Sequence, residues 1–270
     1  PYLELLRQVI ERTAALIAKW QLVGFTHGVL NSDNMSILGL TIDYGPYGFL
    51  DTYRSGFVCN HSDDQGRYAY DQQPRIGLFN LSCLAQAMLP LIDGDSGEAA
   101  AEQAKQLLAD YQPAYLAYYY QGMADKLGLK AFQQGDEDLF SRLFALMEGQ
   151  VDFTLFFRAL SHCNDGDRLR DMFVDRDAFD DWFEDYGARL EREQSDAAER
   201  RSQMLATNPR YILRNYLAQQ AIAAAEQGDY GEIETLDKLL QKPFDEQPEF
   251  ESYAQQPPDW AQHIELSCSS

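Results

Sequence analysis

Apolar residues recur at helical spacing from the first turn of this chain. Leu5, Leu6, Val9, Ile10, Leu16, Ile17 and Trp20 are interleaved with Glu4, Arg7, Glu11 and Arg12, which predicts an amphipathic helix over residues 2–20. The pattern changes after Gly24 and Gly28. Between 35 and 50, short apolar runs (Met35, Ile37, Leu38, Leu40, Ile42) are broken by Gly39, as in a small β-hairpin or two short strands. Residues 43–75 are rich in Asp, Gly, Tyr and Pro and carry little periodicity, so they read as a long irregular loop of the kind that bears function.

From residue 76 onward the helical period dominates. Ile76–Leu89 is apolar enough to be buried, Glu98–Tyr120 is helical with Pro113 interrupting it, and Leu139–Leu160 is a helix or a pair divided near Gly149. Arg176–Arg201 reads as one long acidic helix with Phe179, Trp182, Phe183 and Tyr186 as its apolar stripe. Pro209 suits a first helical turn, with Tyr211–Gln227 following, and a proline-bearing tail from Lys242 reads as an extended wrap. The expected fold is mainly α with a small β element near its start, in three parts: 1–90, 91–241 and 242–270.

Composition narrows the function classes. The 270 residues carry 22 basic and 43 acidic side chains, a net charge of 22 − 43 = −21. Such a surface repels phosphate backbones and anionic lipid, so neither nucleic acid nor membrane is an expected partner. A small polyanion such as ATP stays open, because a divalent cation can bridge carboxylates to phosphates. Uninterrupted apolar stretches are only a few residues long, so no membrane-spanning helix is expected. The start, Pro1-Tyr2-Leu3-Glu4, has no basic n-region or apolar h-region and reads as the beginning of a fragment. Cys59, Cys83, Cys163 and Cys268 are too scattered for a zinc site or a disulfide framework; Cys83 and Cys163 lie in apolar helical stretches and read as buried packing residues.

One segment carries chemistry: Gly24-Phe25-Thr26-His27-Gly28-Val29-Leu30-Asn31-Ser32-Asp33-Asn34, followed nine residues later by Asp43-Tyr44-Gly45. Phosphoryl-transfer sites of the kinase type use a His-x-Asp loop, an Asn five residues beyond that Asp, and an Asp-Phe-Gly whose Asp holds metal on the nucleotide. His27, Asn34 and Asp43 match that spacing. The position of the base does not, because it is Val29. Asn34 and Asp43 offer hard oxygen ligands suited to Mg²⁺ or Mn²⁺, and Asp33 is a carboxylate that could act as a displaced base. The plainer reading of the same letters is a core histidine, a capped turn and a turn after a strand.

The run HGVLNSDNMSILGLTIDYGPYGFLD resembles, nearly letter for letter, the selenoprotein O (YdiU) family. Gly56–Asp63, Gln73-Pro74-Arg75-Ile76, Asn208–Tyr216 and Ser267-Cys268-Ser269-Ser270 agree with it too, so the likeness runs through the chain. It implies a protein-kinase-like fold, of which this chain would be the C-terminal lobe with a helical extension. It also implies a bacterial cytoplasmic protein that binds ATP in a flipped orientation and transfers AMP to Ser, Thr or Tyr hydroxyls of proteins.

On that resemblance Asp33 is the proton acceptor, Asn34 and Asp43 hold Mg²⁺ or Mn²⁺, and Asp43 also lies on the nucleotide. Val29 then needs no carboxylate, since the nucleophile approaches the α-phosphorus. Family members carry a redox residue near the C-terminus, at the place of Cys268, and bacterial relatives can bridge it to an activation-segment cysteine, which points to Cys59; both cysteines as free thiols is the alternative. The family's Gly-rich loop and nucleotide-pairing Lys have no match here, so the chain alone is expected to be inactive. Two other functions stay open, UMP transfer from UTP with Mn²⁺ and a non-catalytic nucleotide-binding scaffold. A metal hydrolase built on His27, Asp33 and Asp43 is the weakest reading.

Overall fold

A computed structural model describes residues 1–92, 97–162 and 166–267. Along the chain run α1 (Tyr2–Val23), β1 (Phe25–Thr26), β2 (Gly48–Phe49), α2 (Gln73–Ile92), α3 (Glu98–Ala109), α4 (Tyr111–Lys126), α5 (Asp136–Met147), α6 (Phe153–His162), α7 (Asp167–Arg170), α8 (Arg176–Glu193), α9 (Ala197–Thr207), α10 (Asn215–Glu226) and α11 (Gly231–Leu240). The mainly helical class with minimal strand content agrees with the sequence. Contacts divide the chain into two compact units. One comprises Pro1–Tyr47, Gly56–Gly122 and Glu265–Ser270, the other Gly48–Ser55 and Met123–Ile264.

In the first unit α1 buries Leu6, Val9, Ile10, Ala14, Ile17 and Trp20, close to the predicted stripe, and packs on α2 and α3. It ends because Gly24 takes the left-handed conformation (φ 71°) and its N–H bonds back to the carbonyls of Trp20 and Gln21. Gly77 lets α2 approach closely, since a Cβ there would stand 2.3 Å from Ile17 Cδ1. Pro113 does not kink a continuous helix; the chain breaks at Asp110 and Pro113 falls in the first turn of α4. The stretch Tyr70–Ile92 is long and apolar enough by length and composition to cross a membrane, contrary to the sequence expectation. In this unit it carries buried Gln73 and Asn80, whose amides bond the backbone of residues 25–30.

The expected hairpin over 35–50 does not form; only Gly48–Phe49 is strand there. A tight turn closes with Gly39 N–H on the Ser36 carbonyl at 3.1 Å, and Gly39 sits at φ 69° against Arg12, where a Cβ would lie 2.9 Å from Arg12 Cβ. Trp20 Nε1 donates to Thr41 Oγ1 at 2.9 Å. The segment is thus tied to α1 rather than paired with itself, and Ile37, Leu38, Leu40 and Ile42 remain exposed. Cys83 is exposed on α2, a correction to its predicted burial: the stripe α2 buries runs through Ile76, Asn80, Leu81, Ala85 and Met88. Cys163 and Cys268 lie outside the described residues.

The second unit has an aromatic core. Phe153, Phe156, Phe157, Phe173, Phe179, Trp182 and Tyr186 are all at most 4% exposed, and Trp182 Nε1 donates to the Leu139 carbonyl at 2.9 Å. The division near Gly149 is found, with α5 before and α6 after it. The helix expected over 176–201 is two helices. Gln194 turns left-handed (φ 47°), and the Asp196 side chain accepts from the N–H groups of Ala198 and Glu199 to start α9.

Residues 208–214 are extended rather than helical, because their polar groups bond outward. Asn208, fully buried, donates to the Lys126 carbonyl and to Ser161 Oγ. Arg214 pairs with Asp51 and, at 3.0 Å, with Asp152. The tail is not simply extended: Pro248–Ala254 and Asp259–His263 form 3₁₀ turns, and Phe250, Tyr253, Ala261 and Ile264 cover a core of Tyr211, Tyr216, Leu217, Leu236 and Leu239.

Candidate active site

All the site residues with described positions lie in the first unit. Gln73, at the head of α2, clamps the strand leaving α1: its Nε2 donates to the Phe25 carbonyl and its Oε1 accepts from His27 N–H, both at 2.9 Å. Gln21 and Tyr70 exchange hydrogen bonds with each other's backbone carbonyls beside it. Gly28 follows at φ 81°, where a Cβ would stand 2.2 Å from the Pro46 carbonyl oxygen and 2.8 Å from Cys59 Sγ. No other residue type fits there.

His27 is 2% exposed, with its ring against Trp20 at 5.5 Å. Nε2 lies 2.8 Å from the Ile42 carbonyl, which can only accept, so Nε2 carries the proton. Burial pushes the imidazole pKa down, offset in part by the bond to Ile42 and the charge of Asp43. The ring is a neutral brace that fixes the residue before Asp43. Nε2 is thus engaged, and Nδ1 is buried with no hydrogen-bond partner among the described residues.

Asp33 and Asn34 sit in a 3₁₀ turn, Ser32–Asn34, closed by Asn34 N–H on the Asn31 carbonyl at 3.1 Å. The Asn34 carboxamide donates through Nδ2 to the Val29 carbonyl at 2.9 Å. That bond uses the donor end and leaves Oδ1 as the available acceptor. Asp33 is exposed. Asp43 is also exposed and is a non-glycine residue at φ 56°, in a turn where Gly45 N–H meets the Asp43 carbonyl at 2.8 Å. Its backbone is held from the preceding residue through His27 and Ile42, and from the following ones through the edge-to-face pair Tyr44 and Tyr47 (5.3 Å).

No hydrogen bond joins the side chains of Asp33, Asn34 and Asp43. Among the described residues no three His, Cys, Asp or Glu side chains gather as a metal cage. By their chemistry an amide oxygen freed by its own N–H bond and an exposed carboxylate are both hard-oxygen donors of the kind Mg²⁺ takes.

Cys59 is buried, its thiol donating to the Pro46 carbonyl at 2.9 Å, and burial pushes its pKa up to about 12. Beside it, Asn60 forms a parallel bridge with Leu266, and His61 N–H meets the Leu266 carbonyl at 2.7 Å.

Several supporting residues escaped the sequence reading. Gln73 was legible only as part of the Gln-Pro-Arg-Ile run, yet it fixes His27. Asn80 donates to the Leu30 carbonyl at 3.0 Å, and Tyr68 OH to Asn31 Oδ1. A polar residue on the inner stripe of an otherwise apolar helix is the signal that could have found Asn80.

The profile of the family described as protein adenylyltransferase SelO matches residues 1–242. Among curated proteins, the chain is 57% identical to a protein nucleotidyltransferase YdiU of Thioalkalivibrio sulfidiphilus, covering all of this chain and 56% of that protein. It is 53% identical to the proteins of the same description from Vibrio vulnificus and Myxococcus xanthus, again over the whole chain, and covers 56% and 55% of them. The chain therefore spans about half the length of the curated relatives it matches. On these matches the chain belongs to the SelO family of protein nucleotidyltransferases.

Proposed function

We propose that this chain carries the base and the metal-holding groups of a protein adenylyltransferase, as the C-terminal lobe and helical extension of a kinase-like fold. The observation that carries the reading is the setting of the Ser32–Asn34 turn. It presents Asp33 to solvent beside an Asn34 whose amide nitrogen is tied to Val29 and whose oxygen is free. In a plain capped turn the cap residue, here Asn31, would bond a backbone N–H of the turn with its side chain, and it makes no such bond.

In this reading Asp33 accepts the proton of a protein hydroxyl as its oxygen attacks the α-phosphorus of ATP. The bond to the β-phosphate breaks and pyrophosphate leaves. Asn34 Oδ1 and the Asp43 carboxylate would hold Mg²⁺ or Mn²⁺, which when bound neutralises phosphate charge. His27 keeps the Asp43 segment in place without changing its own charge. The aliphatic Val29 takes no part in proton transfer.

Intact-mass measurement of a whole family protein containing this chain, incubated with ATP and a hydroxyl-bearing test protein, decides the matter. An adenylyl adduct that disappears in Asp33→Ala, with nucleotide binding retained, supports the reading. A phosphate adduct, a strict demand for UTP, or transfer that survives Asp33→Ala overturns it. The same assay on the 270 residues alone should give little or no adduct.

A further inference from the structure

Next to the 3₁₀ turn of Asp33 lies an open groove of about 340 Å³, formed by the segment 65–72 and the first two turns of α2. Its edge is built by the chain itself. The Asp63 carboxylate accepts from Arg67 N–H at 2.9 Å and Tyr68 N–H at 2.7 Å, Gly66 N–H meets the Asp63 carbonyl, and Ala69 N–H meets the Gly66 carbonyl. Buried Ala69 and Ile76 lie at its base, and Phe79, half exposed, forms one apolar wall. The Arg67 guanidinium lies over the Phe79 ring, 5.1 Å from its centroid.

The groove's charge runs against that of the chain. On a protein of net charge −21, its lining holds two guanidiniums, Arg67 and Arg75, and a single acid, Asp71. Neither arginine forms an ion pair with a carboxylate among the described residues, while Asp71 already accepts from Gln72 Nε2. Asp63 is engaged by backbone N–H groups, and exposed Asp64 stands next in the chain, before Gln65 of the lining. Tyr68, beside Arg67, donates through its hydroxyl to Asn31, two residues before Asp33. That bond ties the segment forming the groove to the loop that carries Asp33.

We propose that this groove docks an acidic segment of the protein that receives the nucleotide, its carboxylates on Arg67 and Arg75 and an apolar side chain against Phe79. The proposal rests on the reading of Asp33 given above and names the substrate class of that site. An arginine pre-stacked on an aromatic ring has less freedom to lose when it grips a carboxylate in its planar fork. The general negative field of the chain disfavours acidic partners, so selection would come from this local reversal of charge.

Fluorescence anisotropy on the 270-residue chain tests this without nucleotide. The probes are short fluorescein-labelled peptides with a central Tyr and Ser, flanked either by Asp and Glu or by Lys and Arg. The acidic peptide should bind at least about tenfold more tightly, and Arg75→Glu should weaken it by about tenfold while the melting temperature holds. Arg75 makes no ion pair among the described residues, so this variant is expected to keep the fold; Arg67→Lys, which retains charge and loses the planar fork, should weaken binding less. Equal or better binding of the basic peptide, no binding of either, preference for a single-stranded oligonucleotide, or unchanged affinity in Arg75→Glu overturns the proposal. Because binding is read apart from transfer, a groove that fails leaves the Asp33→Ala test standing, and the reverse holds.

Discussion

The carboxamide nitrogen of Asn34 sits 2.9 Å from the carbonyl oxygen of Val29, the residue that stands where a kinase-type loop would carry its base. The two positions are coupled. The backbone of the residue that cannot take a proton fixes which end of Asn34 faces outward.

Asn34→Asp should therefore cost more than an isosteric change suggests. A carboxylate cannot donate to the Val29 carbonyl, so two acceptors would face each other in a partly buried turn. The expected loss is about 1–2 kcal/mol of stability, read as a lower urea midpoint at unchanged m-value. Divalent cation added to this variant should recover part of it.

Asp33→Ala should leave stability within about 0.5 kcal/mol, because the side chain is exposed and caps nothing. Thermal melts check the stability, and the transfer assay on the whole protein checks the function. A large drop in melting temperature would mean that Asp33 holds the turn.

Gly28→Ala should be severe, by about 3 kcal/mol or more. The left-handed backbone costs a Cβ about 1–2 kcal/mol, and the contact 2.2 Å from the Pro46 oxygen, which is backbone, cannot be relieved by a rotamer change. Urea unfolding followed by tryptophan fluorescence measures it.

Lys126 should give the second unit an alkaline stability slope. Its ammonium is buried with Asn208 Oδ1 at 2.9 Å and the Phe157 ring at 3.9 Å, no carboxylate among the described residues pairs with it, and burial lowers its pKa to about 7. The unfolded chain, with a lysine pKa near 10.4, holds the proton more tightly. Folding is thus penalised progressively as pH falls from about 10 to about 7, and stability rises with pH by up to about 1.4 kcal/mol per unit in that window. Lys126→Met should flatten that part of the pH profile in chemical denaturation. An unchanged slope would refute it.

Thiol labelling should separate the cysteines. Exposed Cys83 should react with iodoacetamide at neutral pH, whereas Cys59, buried with a pKa of about 12, should react only on unfolding. Peptide mapping by mass spectrometry distinguishes the two. Fast labelling of Cys59 in the folded chain would show that its segment opens, as a bridge to Cys268 would require.

Periodic apolar residues located most of the helices, because burial of one face decides both period and packing. The α1 stripe and the break near Gly149 are cases where local pattern and tertiary contact agree. The failures have a common cause. Met35–Ile42 looks like strand by composition, but Trp20 and Arg12 of a distant helix hold it as a turn. Asn208–Arg214 looks like the start of a helix, but partners far along the chain draw its polar groups outward. Spacing singled out His27, Asn34 and Asp43 as candidates; that His27 is a sealed brace, and that Gln73 sets it, was not legible, since no local period records a side chain bonding to another segment's backbone.

The parallel pairing of Leu266 with the Asn60–His61 segment makes the site-bearing unit discontinuous: residues near the end of the sequence complete a body begun at its start. No single cut in the polypeptide can release that body intact. Deletion mapping that trims from the C-terminal side would disturb the neighbourhood of Cys59 at the first step, and an effect so obtained would report on the first unit rather than on the helices in between.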